Sequence, residues 1–163
     1  MNLIKEKVDL ARLNWTKNVN HPDPTKWAYG VQEISYPYLF PELRLHWARG
    51  EHANARRVPK EDLILLRQRT KVTHIVMPID NELHEIDQPD HPHPIYRLVQ
   101  VMWIQPHFEK APDQNTVFDF PLKVEGGDVV SLNAAQFVAK WGGLGGLPAL
   151  QAHIAEALEL FKR

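Results

Sequence analysis

Cysteine is absent from the 163-residue chain, and serine occurs only at Ser35 and Ser131. Without thiols there is no disulfide framework and no zinc site built on thiolates, and the composition fits a reducing compartment, with cytoplasm the default expectation. Two serines outside any Gly-x-Ser-x-Gly turn, and no cysteine, leave nothing that reads as a covalent nucleophile. No catalytic residue is assigned. Long apolar runs are also missing: no window approaches the roughly 20 residues a membrane helix needs, and Met1–Lys7 has no apolar core of signal-peptide length. No membrane partner is expected. Neither a repeat nor a Gly/Ser linker divides the chain, so residues 1–163 read as one domain, a size at which folding buries roughly 70% of the unfolded surface.

The net charge of −1 is small, but it is unevenly placed. From Arg44 to Lys71 there are eight bases (Arg44, Arg49, Arg56, Arg57, Lys60, Arg67, Arg69, Lys71) against three acids (Glu51, Glu61, Asp62). From Asp80 to Asp90 there are five acids and no Lys or Arg. Such an asymmetry fits a surface that faces a polyanion, although charge runs also serve simply to solvate a face.

Hydrophobic periodicity places the elements. Leu63–Leu66 is a continuous apolar run, as in a strand covered on both faces, and Arg67–Lys71 follows as a polar turn. Val72–Ile79 is a second strand, with Val72, His74 and Val76 on one face and Thr73, Ile75, Met77 and Ile79 on the other. Pro78 marks its end at an edge or bulge. Ile95–Ile104 is the longest strand and is expected to be central, with Tyr96, Leu98, Met102 and Ile104 on one face. Shorter strands are predicted at Trp27–Ile34, Val117–Phe120 and Asp128–Leu132. Ala134, Phe137, Val138 and Trp141 then repeat at helical spacing, with Asn133 as N-cap and Gly142 as stop. A last helix carries Leu150, Ile154, Ala157, Leu158 and Phe161 after Pro148. Strands in the middle and helices at the end give an α+β fold, most simply a curved or barrel-like sheet with helices packed against it and a C-terminal helix.

Two motifs dissolve on inspection. The glycines of Trp141–Pro148 follow a helix and lack the Gly-Lys-Ser/Thr ending of a phosphate loop, so they read as an inter-helix turn. His84, His91 and His93 lie among Asp80, Glu85, Asp87 and Asp90, yet in a proline-broken loop without the fixed ligand spacing of a metal site. No metal or cofactor is expected. His74 is a candidate general acid or base, weighed against a hydrogen-bonded core histidine.

Aromatic residues crowd the basic stretch: Trp15, Trp27, Tyr29, Tyr36, Tyr38, Phe40, Trp47 and Trp103. Rings that stack on an unstacked base, with nearby cations to neutralise phosphate, are what single-stranded nucleic acid requires. In the core, the same rings would simply pack.

The order Val58-Pro59-Lys60-Glu61-Asp62-Leu63-Ile64-Leu65-Leu66, a polar turn, Lys71–Ile79 and then Tyr96–Val101 resembles the PUA-like superfamily, particularly its EVE, ASCH and YTH branches. Trp27-Ala28-Tyr29-Gly30-Val31 is similar to the family's aromatic-glycine segment, whereas Lys60-Glu61 stands where the family usually has glycine. The resemblance covers about the central half of the chain and implies a small curved, partly closed β-barrel with flanking helices and a C-terminal helix, of a kind that often recognises RNA or a modified base flipped into an aromatic pocket.

The leading expectation is a nucleic-acid-binding domain for RNA or DNA. Trp27, Tyr29, Trp47 and Trp103 would stack on a base beside His74, and Arg44, Arg49, Arg56, Arg57, Arg67, Arg69 and Lys71 would hold phosphate. A protein-interaction or accessory domain, with the Asp80–Asp90 loop meeting a basic protein partner, is the second expectation. A small hydrolase or nuclease using His74 and a carboxylate is the third.

Overall fold

The computed structural model describes residues 8–19, 21, 26–29, 42–105, 107–123 and 126–161. Its centre is a curled mixed sheet of seven strands: β1 (Leu13–Asn18), β2 (Glu42–Trp47), β3 (Leu63–Gln68), β4 (Lys71–Pro78), β5 (His84–Glu85), β6 (Ile95–Ile104) and β7 (Val129–Ser131). Their order is β2-β6-β4-β3-β1-β7, with β5 paired to the start of β6. Every pairing is antiparallel except β1 with β3. The helices are α1 (His52–Arg56), α2 (Gln114–Phe118), α3 (Ala135–Trp141) and α4 (Leu147–Ala157).

The fold is α+β with a C-terminal helix, as the periodicity predicts. β3 is buried at all six positions, in keeping with its unbroken apolar run. The sheet separates two cores. Leu13, Leu65, Ile75, Trp103, Phe118, Phe137, Leu150 and Ile154 form the one under the helices. Leu45, Trp47, Ile64, Leu66, Val76, Val99 and Phe108 fill the inside of the curl. The two ends of the sheet meet through α1: Asn54 accepts from Trp47 Nε1 of β2 (2.8 Å) and from the Val129 amide of β7 (2.7 Å), and donates to the Val129 carbonyl (3.1 Å).

Several elements differ from expectation. β1 and β2 were not predicted as strands. β2 carries a clear period of two, with Leu43, Leu45 and Trp47 buried and Glu42 and Arg44 outside, but its charges dominate the reading. Trp27–Tyr29 is not a strand, and Gly30–Ile34 lies outside the described residues. Val117–Phe120, expected as a strand, lies half in α2, which holds Val117 and Phe118, because Asp113 caps Asn115 N and starts a helical turn (2.9 Å). α3 has Ala134 at its N-cap in place of Asn133, and Val138 and Phe161, expected to pack, are exposed.

β-bulges shift the faces of the strands. β4 gains a residue at Thr73, where Leu66 pairs with His74 and Arg67 with Val72. β6 gains one at Met102, where Ile75 pairs with Trp103 and Val76 with Val101. Each extra residue reverses the alternation beyond it. Val72 therefore joins Ile75 under the helices while His74 and Val76 face the inside of the curl, and Ile104 falls on the inner face with Val101.

Candidate functional site

The turn between β3 and β4 is made by Arg69 and Thr70, both at positive φ (51° and 65°). A two-residue hairpin turn of this hand normally takes Asn-Gly or Gly-Gly, and a β-branched threonine there is strained by about 1–2 kcal/mol. The turn is held from outside. Gln114 N donates to Thr70 O (2.7 Å) and Val72 N to Pro112 O (3.0 Å), so the start of α2 braces the hairpin.

Beside this turn and the Thr73 bulge runs a chain of hydrogen bonds. Gln68 accepts from the Tyr29 amide (3.1 Å) and donates to both the Tyr29 carbonyl (3.0 Å) and Thr73 Oγ1 (2.9 Å). Thr73 Oγ1 in turn lies 2.8 Å from His74 Nδ1. The hydroxyl has one proton and two lone pairs, so while accepting from Gln68 it meets Nδ1 either as donor or as acceptor; with the hydroxyl as donor, the ring proton of His74 is assigned to Nε2. His74 is fully buried, and burial pushes its pKa down to about 3. The imidazole is thus neutral, and its Nε2 has no hydrogen-bond partner among the described residues. Leaving such a polar atom buried and unpaired costs about 1–3 kcal/mol.

The surroundings of His74 are aromatic and basic. Phe108 meets His74 edge to face at 5.3 Å between ring centres, and Trp27 meets Phe108 at 5.2 Å. The Arg69 guanidinium lies over the Trp27 ring at 4.5 Å. Phe108 and Gln68 were not expected in the site. Their roles depend on contacts across 34 residues of chain for Phe108 and on the bulge for Gln68, and neither leaves a spacing in sequence.

The other predicted residues divide by burial. Arg44, Arg49, Arg56 and Arg57 are exposed and Lys71 is half-buried. Arg44 stacks over Tyr96 (4.8 Å) and Arg57 over Trp15 (5.1 Å). Arg49 instead donates to the carbonyls of Gln88 (3.1 Å) and His91 (2.9 Å), tying the basic stretch to the acidic loop. Tyr29 is half-buried and contributes its backbone to the Gln68 pair. Three residues are corrected. Trp47 (0% exposed) is inside the curl, Trp103 (3%) is under the helices, and Arg67 (2%) is buried between strand and helix, so none presents itself to a base or to the phosphate of a strand at the surface.

The histidines of the acidic loop gather elsewhere, around Tyr96: His84 is stacked on it at 5.0 Å, His46 is tilted at 5.5 Å, and His91 stacks on His46 at 6.0 Å. Burial lowers the pKa of His46, as does the nearness of His91, His93 and Arg44, against a raising contact with the His93 carbonyl. Among the described residues no three His, Asp or Glu side chains come together as metal ligands, and no helix is long and apolar enough to cross a membrane.

Chemically, with the ring proton on Nε2 the His74 arrangement donates one hydrogen bond from a fixed position among planar rings, and the lone pair of Nδ1 is engaged by Thr73. Comparison with protein-family models, with curated proteins and with solved structures finds no match to this chain.

Proposed function

We propose that this chain is a nucleic-acid-binding domain of PUA-like type, which receives an unstacked base of RNA or DNA against Trp27, Phe108 and His74. The single observation that carries the reading is the Nε2 of His74, without a partner among the described residues and buried among aromatic rings beside a strained, arginine-bearing turn. Strain and unpaired buried donors concentrate where a ligand completes the structure. A base supplies what is missing: a carbonyl oxygen or ring nitrogen to accept from Nε2, and a π-face to stack against Trp27 or Arg69. In the free protein Phe108 covers His74, and the base takes its place.

Arg44, Arg56 and Arg57 are exposed and in no ion pair among the described residues, so they are open to phosphate. The PUA-like assignment draws support from the curled sheet and from Glu61, which takes φ 74° in the turn where the family has glycine. A preference for a modified base belongs to the same proposal.

Fluorescence anisotropy with labelled single-stranded RNA, plain DNA and methylated DNA at low salt tests it. Binding should weaken steeply as salt is added, because phosphate contacts release counterions, and Arg56→Glu with Arg57→Glu should remove most of it. Absence of binding to all three probes at low salt overturns the proposal.

A further inference from the structure

The acidic loop between β5 and β6, residues 86–94, is fastened to β2 and to the turn that follows it. Arg49 holds it twice, with its guanidinium on the carbonyls of Gln88 and His91 and with its amide on the carbonyl of Pro92 (3.4 Å). His46 of β2 adds a ring contact, from Nδ1 to the His93 carbonyl at 3.0 Å. Within the loop, Ile86 N donates to Pro94 O (2.7 Å), His91 N to Gln88 O (3.0 Å) and His93 N to Nδ1 of the His91 ring (3.0 Å).

These backbone partners fix the protons of both rings. A carbonyl only accepts, so Nδ1 of His46 carries a proton; an amide only donates, so Nδ1 of His91 is bare. A charged imidazole has no acceptor nitrogen, so a proton added to His91 sets N–H against the N–H of His93 and breaks that contact. The surroundings oppose the charge as well. The His46 ring lies 6.0 Å from that of His91 and 16° from parallel, with Arg44 beside it on β2. Lys17 of β1, charged below its pKa of about 7, acts on His93. β6 presents Tyr96 to His46, with His84 of β5 stacked on that ring. Of the nearby acids, Glu85 is engaged by His52 of α1 (3.3 Å), and Asp87 and Asp90 are in no ion pair among the described residues. Loss of hydration and then neighbouring bases lower the pKa of His46 and His93 from 6.5, and no acid acts against them.

We propose that residues 86–94 form a pH-responsive strap, latched onto β2 while His91 is neutral and released when His91, His46 and His93 take up protons, which frees the Arg49 guanidinium from the loop carbonyls. The strap is separate from the His74 surroundings and does not depend on nucleic-acid binding. Its stability is full above pH 6.5 and is lost as pH falls below it, because the released loop binds protons that the latched loop does not.

Amide hydrogen exchange of the full chain at about pH 7.5 and about pH 5.5, corrected for the intrinsic pH dependence of exchange, tests the strap. The amides of Ile86, His91 and His93 should lose roughly tenfold or more of their protection at the lower pH, while those of β3 and β4 keep theirs. His91→Asn puts a side-chain oxygen in the place of Nδ1, an acceptor that does not titrate, so its three amides should stay protected at both. Imidazole nitrogen spectra of the natural chain, which need no variant, should show Nδ1 of His91 bare at the higher pH and protonating over the range in which protection is lost. Unchanged protection in the natural chain would overturn the strap. So would a loss in His91→Asn equal to that in the natural chain, or a charged His91 in a loop that is still protected.

Discussion

Thr73 Oγ1 lies 2.8 Å from Nδ1 of His74, and this contact occupies Nδ1 and leaves Nε2 to meet a ligand. The hydroxyl is aimed by a bulge that sets Thr73 beside Gln68, so a single extra residue in β4 organises the relay. Replacing Thr73 by valine keeps the shape of the strand but leaves Gln68 and His74 each short of a partner. It should destabilise the protein by about 1–3 kcal/mol, read from urea unfolding. His74→Phe, which deletes the unpaired donor, should cost less than Thr73→Val. The reverse order would contradict the assigned hydrogen bonds.

Acid should act through His74. Its folded pKa, about 3, lies below the ordinary 6.5, so between these values the unfolded chain holds a proton that the folded chain does not. Stability is therefore full above pH 6.5 and falls as pH drops toward 3, by roughly 4–5 kcal/mol at full extent for this group. His46 and His93, also lowered mainly by burial, work in the same direction. Denaturant unfolding between pH 7 and pH 4 should show a shallower decline for His74→Phe than for the natural chain; parallel curves would contradict it.

Alkali should act through Lys17, whose pKa burial pushes down to about 7 against a raising contribution from Asp128. Between pH 7 and 10.5 the unfolded chain binds the extra proton, so this group adds stability as pH rises through that window. Lys17→Met should be more stable than the natural chain at pH 7, by on the order of a few kcal/mol, with the gap closing toward pH 10. A constant gap across the window would contradict the buried, uncharged amine.

The strained turn separates stability from function. Thr70→Gly should stabilise by about 1 kcal/mol, because glycine takes φ of 65° without the clash that a β-branched side chain suffers. Arg69→Gly should relieve similar strain but lose the guanidinium over Trp27, so it should lower oligonucleotide affinity. Urea unfolding and anisotropy on the two variants check both halves.

Much of the sheet is readable in sequence because a buried strand leaves a mark. Leu63–Leu66 and Ile95–Ile104 are apolar enough to stand out, and Pro148 marks the start of α4. β1 leaves almost no mark. It contains Asn14, Thr16, Lys17 and Asn18, and its lysine is buried only because β3 and β7 flank it and Trp47 covers the amine. The candidate site was partly legible: Trp27, Arg69 and His74 are visible as aromatic, basic and imidazole side chains, although only Arg69 and His74 are near one another in the chain. What joins them is a bulge that no periodicity rule locates, and a phenylalanine brought in from beyond β6. Trp47 and Trp103 were misplaced because a tryptophan looks the same in sequence whether it fills a core or lines a pocket.

The most direct test of the central claim is the nitrogen–proton spectrum of the His74 side chain, with and without a single-stranded oligonucleotide at low salt. The free protein should show one ring proton, on Nε2, and binding should move that resonance downfield as the donor finds an acceptor. An oligonucleotide that binds while the His74 signal stays unchanged, or a free-state proton on Nδ1, would contradict the account.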